Sequence, residues 1–310
     1  MPELVLAPSR RVLSRVYDSA RWAGWKPRDD DIVIATYAKV GTTWMQRIVS
    51  LLVFAAPAPV DLRGASVWPD ARFGPIEPEW AAAEAMTHRR FFKAHLPYDA
   101  LPIYAGVKLI HVARDGRDAA LSLHNHLANF TPQMLAQFDE RLLNDPKFSA
   151  PFPRFAADDP ATFFHLWLTD GDTDGDGDTG ASFFHLENSF WAVREQPDVL
   201  MVHYADLKKD LLGEMRRIAA YLAIEIPQAL WPSLLQAASI DSMRREAATT
   251  GGMDFVFQGG ADRFFNKGVN GRWQGMFTPE DLALYDAKIR ASFTPDQAFW
   301  LEHGRLGGTA

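Results

Sequence analysis

Short apolar runs alternate along this chain with longer segments in which apolar residues recur every three or four positions. Runs of roughly four to eight apolar residues predict buried strands, and the longer periodic segments predict amphipathic helices. The predicted strands cover residues 32–35, 89–95, 106–113 and 199–204. The predicted helices cover residues 42–55, 115–127, 161–168, 187–195, 207–222, 228–238, 240–247 and 279–293.

Three segments lack this regularity. Residues 61–88 are rich in Pro, Trp and Gly, which predicts an irregular cover with short helical turns. Residues 131–157 predict a mixture of helix and proline-rich loop, and the glycine-rich residues 249–265 predict a mobile stretch. A sharper signal follows at Thr278, which precedes a proline and is therefore typical of a helix N-cap.

Alternation of strands with helices predicts an α/β fold with a central parallel sheet flanked by helices on both faces. The sequence contains neither an internal repeat nor a Pro/Gly-rich linker between domains, so residues 1–310 are predicted to form a single domain. In such a fold, ligands bind outside the carboxyl ends of the strands. Polar residues that follow the predicted strands should therefore share one crevice.

Composition narrows the class of protein. A net charge of −7 and a pI near 5.7 argue against a sequence-independent nucleic-acid binder, and the absence of cysteine excludes disulfides, a catalytic thiol and thiolate metal sites. No signal peptide is indicated, and the longest apolar run, near residues 48–58, is about half of the ~20 residues that a membrane span requires. We therefore expect a cytoplasmic protein with no membrane partner.

The junction between the first predicted strand and its helix has the layout of a phosphate cradle. Unpaired N–H groups and the helix dipole attract an anion at a helix start. Lys39 adds a full positive charge, and Gly41 lets the backbone approach the anion closely. The hydroxyl groups of Thr42 and Thr43 can donate hydrogen bonds to its oxygens, and Trp44 opens the helix that follows.

Two further segments carry potential anion ligands. Arg114 ends a predicted strand, and Ser122 follows eight residues later on about the same helical face, so both can bind one phosphate. An ordinary pair between Arg114 and Asp118 is the alternative. Near the C-terminus, Lys267 and Gly268 supply a charge and a backbone donor in a glycine-rich loop, which is alternatively an ordinary surface loop.

Together these segments resemble the sulfotransferase family that uses 3′-phosphoadenosine 5′-phosphosulfate (PAPS). The first segment is similar to the family's phosphosulfate loop, T-Y-P-K-S-G-T-T-W, with Ala38 in place of Pro and Val40 in place of Ser. It differs from a Walker loop, in which the lysine directly follows the second glycine. The last segment is similar to the family's R-K-G-x-x-G-x-W signature, with Asn266 in place of Arg. The segments keep the family's order, and the match suggests a bacterial member.

The resemblance implies roles for individual residues. Lys39, Gly41, Thr42 and Thr43 would bind the 5′-phosphosulfate, Arg114 and Ser122 the 3′-phosphate, and Trp44 would stack on the adenine with Tyr204 nearby. Asn266, Lys267 and Gly268 would complete the nucleotide site. Spacing alone leaves open whether Arg263 or Arg272 replaces the charge that is missing at residue 266.

The segment F-K-A-H-L-P, which contains Lys93 and His95, is similar to the family's K-T-H-L-P and marks the reacting centre. A neutral imidazole suits removal of the acceptor's proton, so His95 is the predicted general base. Lys39 and Lys93 are the predicted electrostatic stabilisers of the sulfuryl and bridging oxygens. The leaving phosphate is already a stable anion, so no metal is required.

Several questions stay open at this level. Aromatic residues in the covering segments suggest a small apolar or aromatic acceptor with a hydroxyl or amine, although core packing explains them equally well; they are Phe73, Trp80, Phe130, Phe138, Phe152 and Phe155. A P-loop-like nucleotide kinase or phosphotransferase and a non-catalytic 3′,5′-adenosine nucleotide-binding protein are the alternatives. The acidic stretch 170–180 starts like a calcium loop but lacks the closing glutamate, so a solvated loop is favoured. The oligomeric state is open.

Overall fold

A computed structural model of the chain describes residues 1–148, 150–170, 182–265 and 268–307, without the side chains of residues 170 and 250. Its strands are β1 (Leu4–Leu6), β2 (Ile32–Thr36), β3 (Phe91–Ala94), β4 (Ile103–Tyr104), β5 (Lys108–Ala113) and β6 (Val199–His203). Strands β3, β2, β5 and β6 form a parallel sheet in that order, and β1 pairs with β4 antiparallel.

Helices cover the sheet. The first six are α1 (Thr42–Phe54), α2 (Leu62–Ala65), α3 (Glu77–Ala85), α4 (Gly116–Leu127), α5 (Pro132–Leu143) and α6 (Pro160–Asp170). The remaining helices are α7 (Phe183–Trp191), α8 (Tyr204–Lys209), α9 (Leu211–Tyr221), α10 (Trp231–Ala237), α11 (Ile240–Thr250), α12 (Met253–Val256), α13 (Gly260–Phe265), α14 (Pro279–Ser292) and α15 (Pro295–His303). The predicted single α/β domain with a central parallel sheet is thereby confirmed.

The parallel sheet places the predicted site residues at one edge. Strand β2 is buried along its whole length, as expected for a central strand covered on both faces. His95 follows the last residue of β3, Arg114 follows β5, and Tyr204 follows β6. The loop from β2 to α1 contains Lys39. The carboxyl ends of all four strands therefore contribute to one crevice, as predicted.

Several predicted elements differ in their bounds from those observed, three of them for identifiable reasons. The strand predicted to end at residue 204 ends at His203, and the single helix predicted over 207–222 is two helices, α8 and α9. Between them, Asp210 has a non-helical backbone with φ −145° and ψ 77°, and its carboxylate accepts a hydrogen bond from the backbone N–H of Gly213. This N-cap stops one helix and starts the next. The helix predicted over 187–195 begins earlier because Ser182 caps it through His185.

Near the C-terminus, the stretch 249–265 that was predicted to be mobile contains the short helices α12 and α13. Helix α14 begins as predicted, with a capping box in which the Thr278 hydroxyl accepts from the backbone of Asp281 and the carboxylate of Asp281 accepts from that of Thr278. Helix α15 and the strands β1 and β4 were not predicted. Strands β1 and β4 are too short for a clear periodic signal.

Two groups of buried apolar residues organise the described part of the chain. The larger one fills the space between the parallel sheet and its helices. The smaller one, here called the aromatic cluster, lies beside α5 and consists of Phe130, Phe138, Leu142, Phe152 and Phe257. No described helix combines the length and the apolar character that crossing a bilayer requires.

Candidate active site

The loop between β2 and α1 has an unusual backbone. Lys39 has a φ of 68°, a left-handed conformation that costs a residue with a side chain about 1–2 kcal/mol. Gly41, the N-cap of α1, has a φ of 118°, which only glycine adopts readily. The Thr42 hydroxyl lies 2.6 Å from that of Thr36 at the end of β2, and Thr43 is partly buried in the first helical turn. These conformations leave the first backbone N–H groups of α1 available to an anion.

Aromatic and cationic side chains meet above this loop. A Cβ atom at Gly41 would lie 3.0 Å from the Tyr204 ring, so that ring rests directly on the glycine. The Arg114 guanidinium lies 4.3 Å from the Tyr204 ring centroid. Trp44 packs edge-on against the same ring at 5.4 Å and donates its indole N–H to the Ala238 oxygen at 2.8 Å. The structure thus brings together these four predicted site residues.

Arg114 links the two predicted phosphate segments. Its Nη1 donates to the Lys39 backbone oxygen at 3.5 Å, and its Nη2 donates to the Val269 oxygen at 3.0 Å. Its nearest approach to Asp118 is 3.9 Å, longer than a hydrogen bond. The simple Arg114–Asp118 pair is therefore at most a minor part of the arrangement. Ser122 lies partly buried two turns further along α4.

The C-terminal segment is described in part. Asn266 and Lys267 lie outside the described residues, as does most of the acidic stretch 170–180. Gly268 has a φ of 59°, and a Cβ there would come within 2.9 Å of the Ile240 side chain. Gly268 therefore packs closely against the start of α11, beside the carbonyl that accepts from Trp44.

His95 is held in a defined tautomer. Its Nδ1 lies 2.8 Å from the Thr36 backbone oxygen, which can only accept, so Nδ1 carries the hydrogen and Nε2 keeps its lone pair. Burial, followed by the charge of Lys93 and then that of Lys39, lowers the pKa of His95 well below its ordinary value. The ring lies 5.1 Å from Trp68 and 5.5 Å from Tyr17. This geometry gives a neutral imidazole whose Nε2 can accept a proton.

A residue that the sequence did not single out lies directly behind this histidine. The carboxylate of Asp70 is fully buried and accepts hydrogen bonds from the backbone N–H of His95 at 3.0 Å and the indole N–H groups of Trp68 at 3.0 Å and Trp22 at 3.2 Å. Burial raises the pKa of Asp70, against the opposing effect of these bonds. Its charge in turn favours protonated Lys93.

The two predicted catalytic lysines are both desolvated. Burial and then the charges of Lys93 and Arg114 lower the pKa of Lys39 to about 7. Burial lowers the pKa of Lys93 to about 8, although Asp70 opposes this. Both ammonium groups lie over aromatic rings, Lys39 4.1 Å from Phe264 and Lys93 3.4 Å from Trp68. Lys39, Lys93 and Arg114 therefore bring cationic groups together around the loop between β2 and α1, and Asp70 is the carboxylate that acts on Lys93.

A second histidine borders the same centre. His126 on α4 contacts the rings of Phe257 at 4.8 Å, Phe130 at 5.0 Å and Phe264 at 6.2 Å. Its Nδ1 is buried and makes no hydrogen bond within the described residues. Burial and then the charges of Lys39, Lys93 and His95 lower the pKa of His126 well below its ordinary value. No periodic pattern indicates the contacts with Phe257 and Phe264, because they join α4 to residues more than a hundred positions away along the chain.

The predicted aromatic cover divides into two sets. Phe130, Phe138 and Phe152 belong to the aromatic cluster, and Phe73 joins it through Phe138 at 5.8 Å. Trp80 and Phe155 pack on the main core instead. Val40, which replaces the family's serine, is also fully buried in the main core. Within the described ranges, no group of three or more His, Cys, Asp or Glu side chains is arranged to hold a metal ion.

The loop between β2 and α1, Arg114 and the neutral His95 thus meet at the carboxyl edge of the parallel sheet, where ligands of such α/β folds bind. Residues 29–296 match the family model described as a sulfotransferase domain. A glycolipid sulfotransferase of Mycobacterium bovis is 35% identical, over 95% of this chain and 94% of that protein. The chain therefore belongs to the sulfotransferase family and is a sulfotransferase.

A more distant relative and two solved structures are also similar to this chain. A luciferin sulfotransferase of Photinus pyralis is 28% identical, over 71% of this chain and 58% of that protein. The fold is similar to that of retinol dehydratase in complex with androsterone and inactive cofactor PAP, with a TM-score of 0.68, 22% identity and coverage of 94% of this chain and 90% of that one. A mouse sulfotransferase complexed with PAP gives a TM-score of 0.64 at 20% identity, covering 95% of this chain and 93% of that one.

Proposed function

We propose that the protein transfers the sulfuryl group of PAPS to a hydroxyl group carried on an apolar or aromatic acceptor, with His95 as general base. The observation that carries the proposal is the neutral imidazole of His95, held by Thr36, beside two lysines and the anion loop. The reaction leaves adenosine 3′,5′-bisphosphate. The kinase alternative is set aside because the chain belongs to the sulfotransferase family.

The residues present fit a nucleotide with phosphates at both its 5′ and 3′ positions. Gly41 gives the N-terminus of α1 a backbone conformation that only glycine adopts readily, and Lys39 lies in the same loop. Arg114 is almost fully buried, and its Nε lacks a hydrogen-bond partner within the described residues. An unpaired donor on a buried cation is costly unless an anion binds to it.

Each end of the nucleotide then has its own ligands. In this proposal Lys39, Gly41, Thr42 and Thr43 hold the 5′ end, and Arg114 with Ser122 holds the 3′-phosphate. Trp44 and Tyr204 border the adenine. Asn266, Lys267 and Gly268 remain ligands proposed from their sequence motif.

The donor supplies the sulfuryl group, so a sulfur–oxygen bond to the acceptor forms as the bond from sulfur to the bridging phosphate oxygen breaks. His95 accepts the acceptor's hydroxyl proton on Nε2, which keeps its lone pair because Nδ1–H donates to Thr36. Lys39 and Lys93 hold positive charge beside the oxygens on which negative charge grows. The leaving phosphate needs no added proton, so Lys39 and Lys93 need to supply only electrostatic stabilisation.

An apolar acceptor is supported by a chain of ring contacts that begins at the base. His95 contacts Trp68, and Trp68 contacts Phe73 at 5.3 Å. Phe73 contacts the aromatic cluster, which reaches Phe264 and so the ammonium group of Lys39. Two of the similar proteins are named for their acceptors, a glycolipid and a luciferin. We therefore propose that the acceptor's apolar part lies along this aromatic wall.

Calorimetric titration with adenosine 3′,5′-bisphosphate, with ADP and magnesium-ATP as comparators, tests the nucleotide assignment. The proposal requires the bisphosphate to bind at least about tenfold more tightly than either comparator, because only it offers a 3′-phosphate. Transfer from labelled PAPS to 4-nitrophenol and to an alkyl glycoside tests the acceptor class. Tight bisphosphate binding with transfer to neither probe would contradict the proposed acceptor class.

A further inference from the structure

A loop near the C-terminus closes over the second phosphate segment through backbone hydrogen bonds. The N–H groups of Gly271 and Arg272 donate to the two carboxylate oxygens of Asp118, at 2.7 Å and 3.0 Å. The Val269 oxygen accepts from Arg114 at 3.0 Å. Asp118 is itself almost fully buried. These contacts fix where the Arg272 backbone lies relative to Arg114.

One carboxylate, that of Asp118, faces the two guanidinium groups and compensates their charge only in part. Both carboxylate oxygens of Asp118 accept backbone N–H groups, and the nearest Arg114 nitrogen stays 3.9 Å away. Across the described ranges, the Arg272 guanidinium makes no ion pair or hydrogen bond, and Arg114 Nε is buried and unpartnered. Burial and then the positive charge of Arg114 lower the pKa of Arg272, although the charge of Asp118 opposes this. The backbone bonds that join Arg272 to Asp118 and Val269 to Arg114 therefore place two cationic residues beside a single carboxylate, and the remaining positive charge favours a bound dianion.

The sequence explains why a second cation is needed here. The motif that this segment resembles has Arg where this chain has Asn266, so one charge is absent from that position. Arg272 occupies a position that the motif leaves variable, directly before Trp273. The alternative, Arg263, is exposed on α13. Asn125 donates a hydrogen bond to its backbone oxygen rather than contacting its side chain. Arg272, in contrast, is partly buried and lies close enough to Arg114 for the two charges to interact.

We propose that Arg272 binds the nucleotide's 3′-phosphate together with Arg114 and so replaces the charge that is missing at residue 266. This inference rests on the proposed function, because it assumes a ligand with a ribose 3′-phosphate. It assigns to Arg272 a role in selecting nucleotides that carry that group over those that do not.

Calorimetry on purified full-length variants tests the assignment with two probes. Adenosine 3′,5′-bisphosphate carries the 3′-phosphate, and adenosine 5′-monophosphate lacks it. Replacement R272Q should weaken binding of the bisphosphate at least about tenfold, because a charged donor to phosphate is lost. It should leave the affinity for the monophosphate within about twofold, and this unchanged affinity also shows that the variant is folded. The control R263Q should leave both affinities within about twofold.

The possible failures are distinguishable. If R272Q binds the bisphosphate as tightly as the wild-type protein while R114Q binds it weakly, the role of Arg272 is refuted and the proposed function stands. If R263Q causes the loss instead, the charge belongs to Arg263. If the wild-type protein does not prefer the bisphosphate to the monophosphate, the proposed function itself fails. Partial recovery of bisphosphate affinity by R272K would support a charge-based contact.

Discussion

The Nδ1 atom of His95 lies 2.8 Å from the backbone oxygen of Thr36, the last residue of the strand that leads into the anion loop. A single hydrogen bond thus couples the proposed base to the strand whose loop we propose to hold the donor's 5′ end. Because this bond fixes the ring and its tautomer, the direction of Nε2 depends on the sheet itself. Sites built on strand ends are held more rigidly than sites built on long loops.

The pH profile of kcat/KM should be bell-shaped, with its maximum on the acid side of neutral pH. As pH falls, activity should persist until His95 is protonated, which occurs well below 6.5 because burial, Lys93 and Lys39 disfavour its cation. As pH rises through about 7 and about 8, Lys39 and Lys93 lose their charges and activity should fall. Steady-state rates across pH measure both limbs, since kcat/KM reports the free enzyme.

The variant K93R is the matched control for the alkaline limb. Its guanidinium stays charged up to a pH of about 12, so the part of the decline that comes from Lys93 should disappear. An acid limb at or above 6.5 would contradict the assignment of His95 as a desolvated neutral base.

Replacing Asp70 should impair catalysis through Lys93 and His95. In D70N an amide cannot accept all three N–H groups that the carboxylate accepts, and the negative charge beside Lys93 is lost. We expect a loss of about 2–4 kcal/mol in the free energy of unfolding and an alkaline limb moved to lower pH. Denaturant unfolding and the pH profile measure these effects.

In D99N, which alters a partly exposed carboxylate paired with Arg10, the pH profile should be unchanged. A D70N profile identical to the wild type would show that Asp70 is merely structural.

Nucleotide binding should take up protons at alkaline pH. The pKa values of about 7 for Lys39 and about 8 for Lys93 mean that both are largely charged at pH 6 and partly neutral at pH 8. A bound phosphosulfate or phosphate raises these pKa values, so complex formation at pH 8 draws protons from the buffer. Calorimetry with adenosine 3′,5′-bisphosphate in buffers of different ionisation enthalpy measures the uptake.

The variant K39M isolates the contribution of Lys39 to this proton uptake. At pH 8 it should take up clearly fewer protons than the wild-type protein, whereas at pH 6 the two proteins should differ little. The difference between the two proteins also cancels the proton uptake by the nucleotide's own phosphates, which titrate at about pH 6 in both complexes. Equal uptake by both proteins at pH 8 would mean that Lys39 is not the titrating group.

His126 should contribute to acceptor recognition at a cost in stability. Its Nδ1 is buried without a partner in the described structure, among rings that include Phe130, Phe257 and Phe264. In H126F the free energy of unfolding should therefore rise by about 1 kcal/mol, with bisphosphate affinity unchanged. The KM for an alkyl glycoside should rise more than that for 4-nitrophenol. If stability falls or both KM values change alike, His126 is a packing residue.

The sequence predicted the features that depend on residues close together along the chain. His95 and Arg114 directly follow short apolar runs, and parallel strands bring such positions to one edge. Tyr204 was placed at the end of a strand, although it is the first residue of α8. Asp70 was missed because its partners, Trp22 and His95, are far away in sequence and meet only in the folded chain.

Element ends depended on individual caps. The break between α8 and α9 comes from the conformation and side chain of Asp210, and the early start of α7 comes from Ser182. Such polar residues also occur inside helices, so periodicity alone does not mark them as ends. The choice between Arg263 and Arg272 is likewise not decided by their spacing in the sequence. It depends on how far each side chain is buried and on which residues surround it.

Replacement of His95 tests the account most directly. The variant H95N keeps a polar side chain of similar reach but cannot accept a proton, so turnover with PAPS and 4-nitrophenol should fall at least about 100-fold. Its affinity for adenosine 3′,5′-bisphosphate, measured by calorimetry on the same preparation, should stay within about threefold of the wild type. Turnover near the wild-type value, with nucleotide binding intact, would contradict the assignment of His95 as general base.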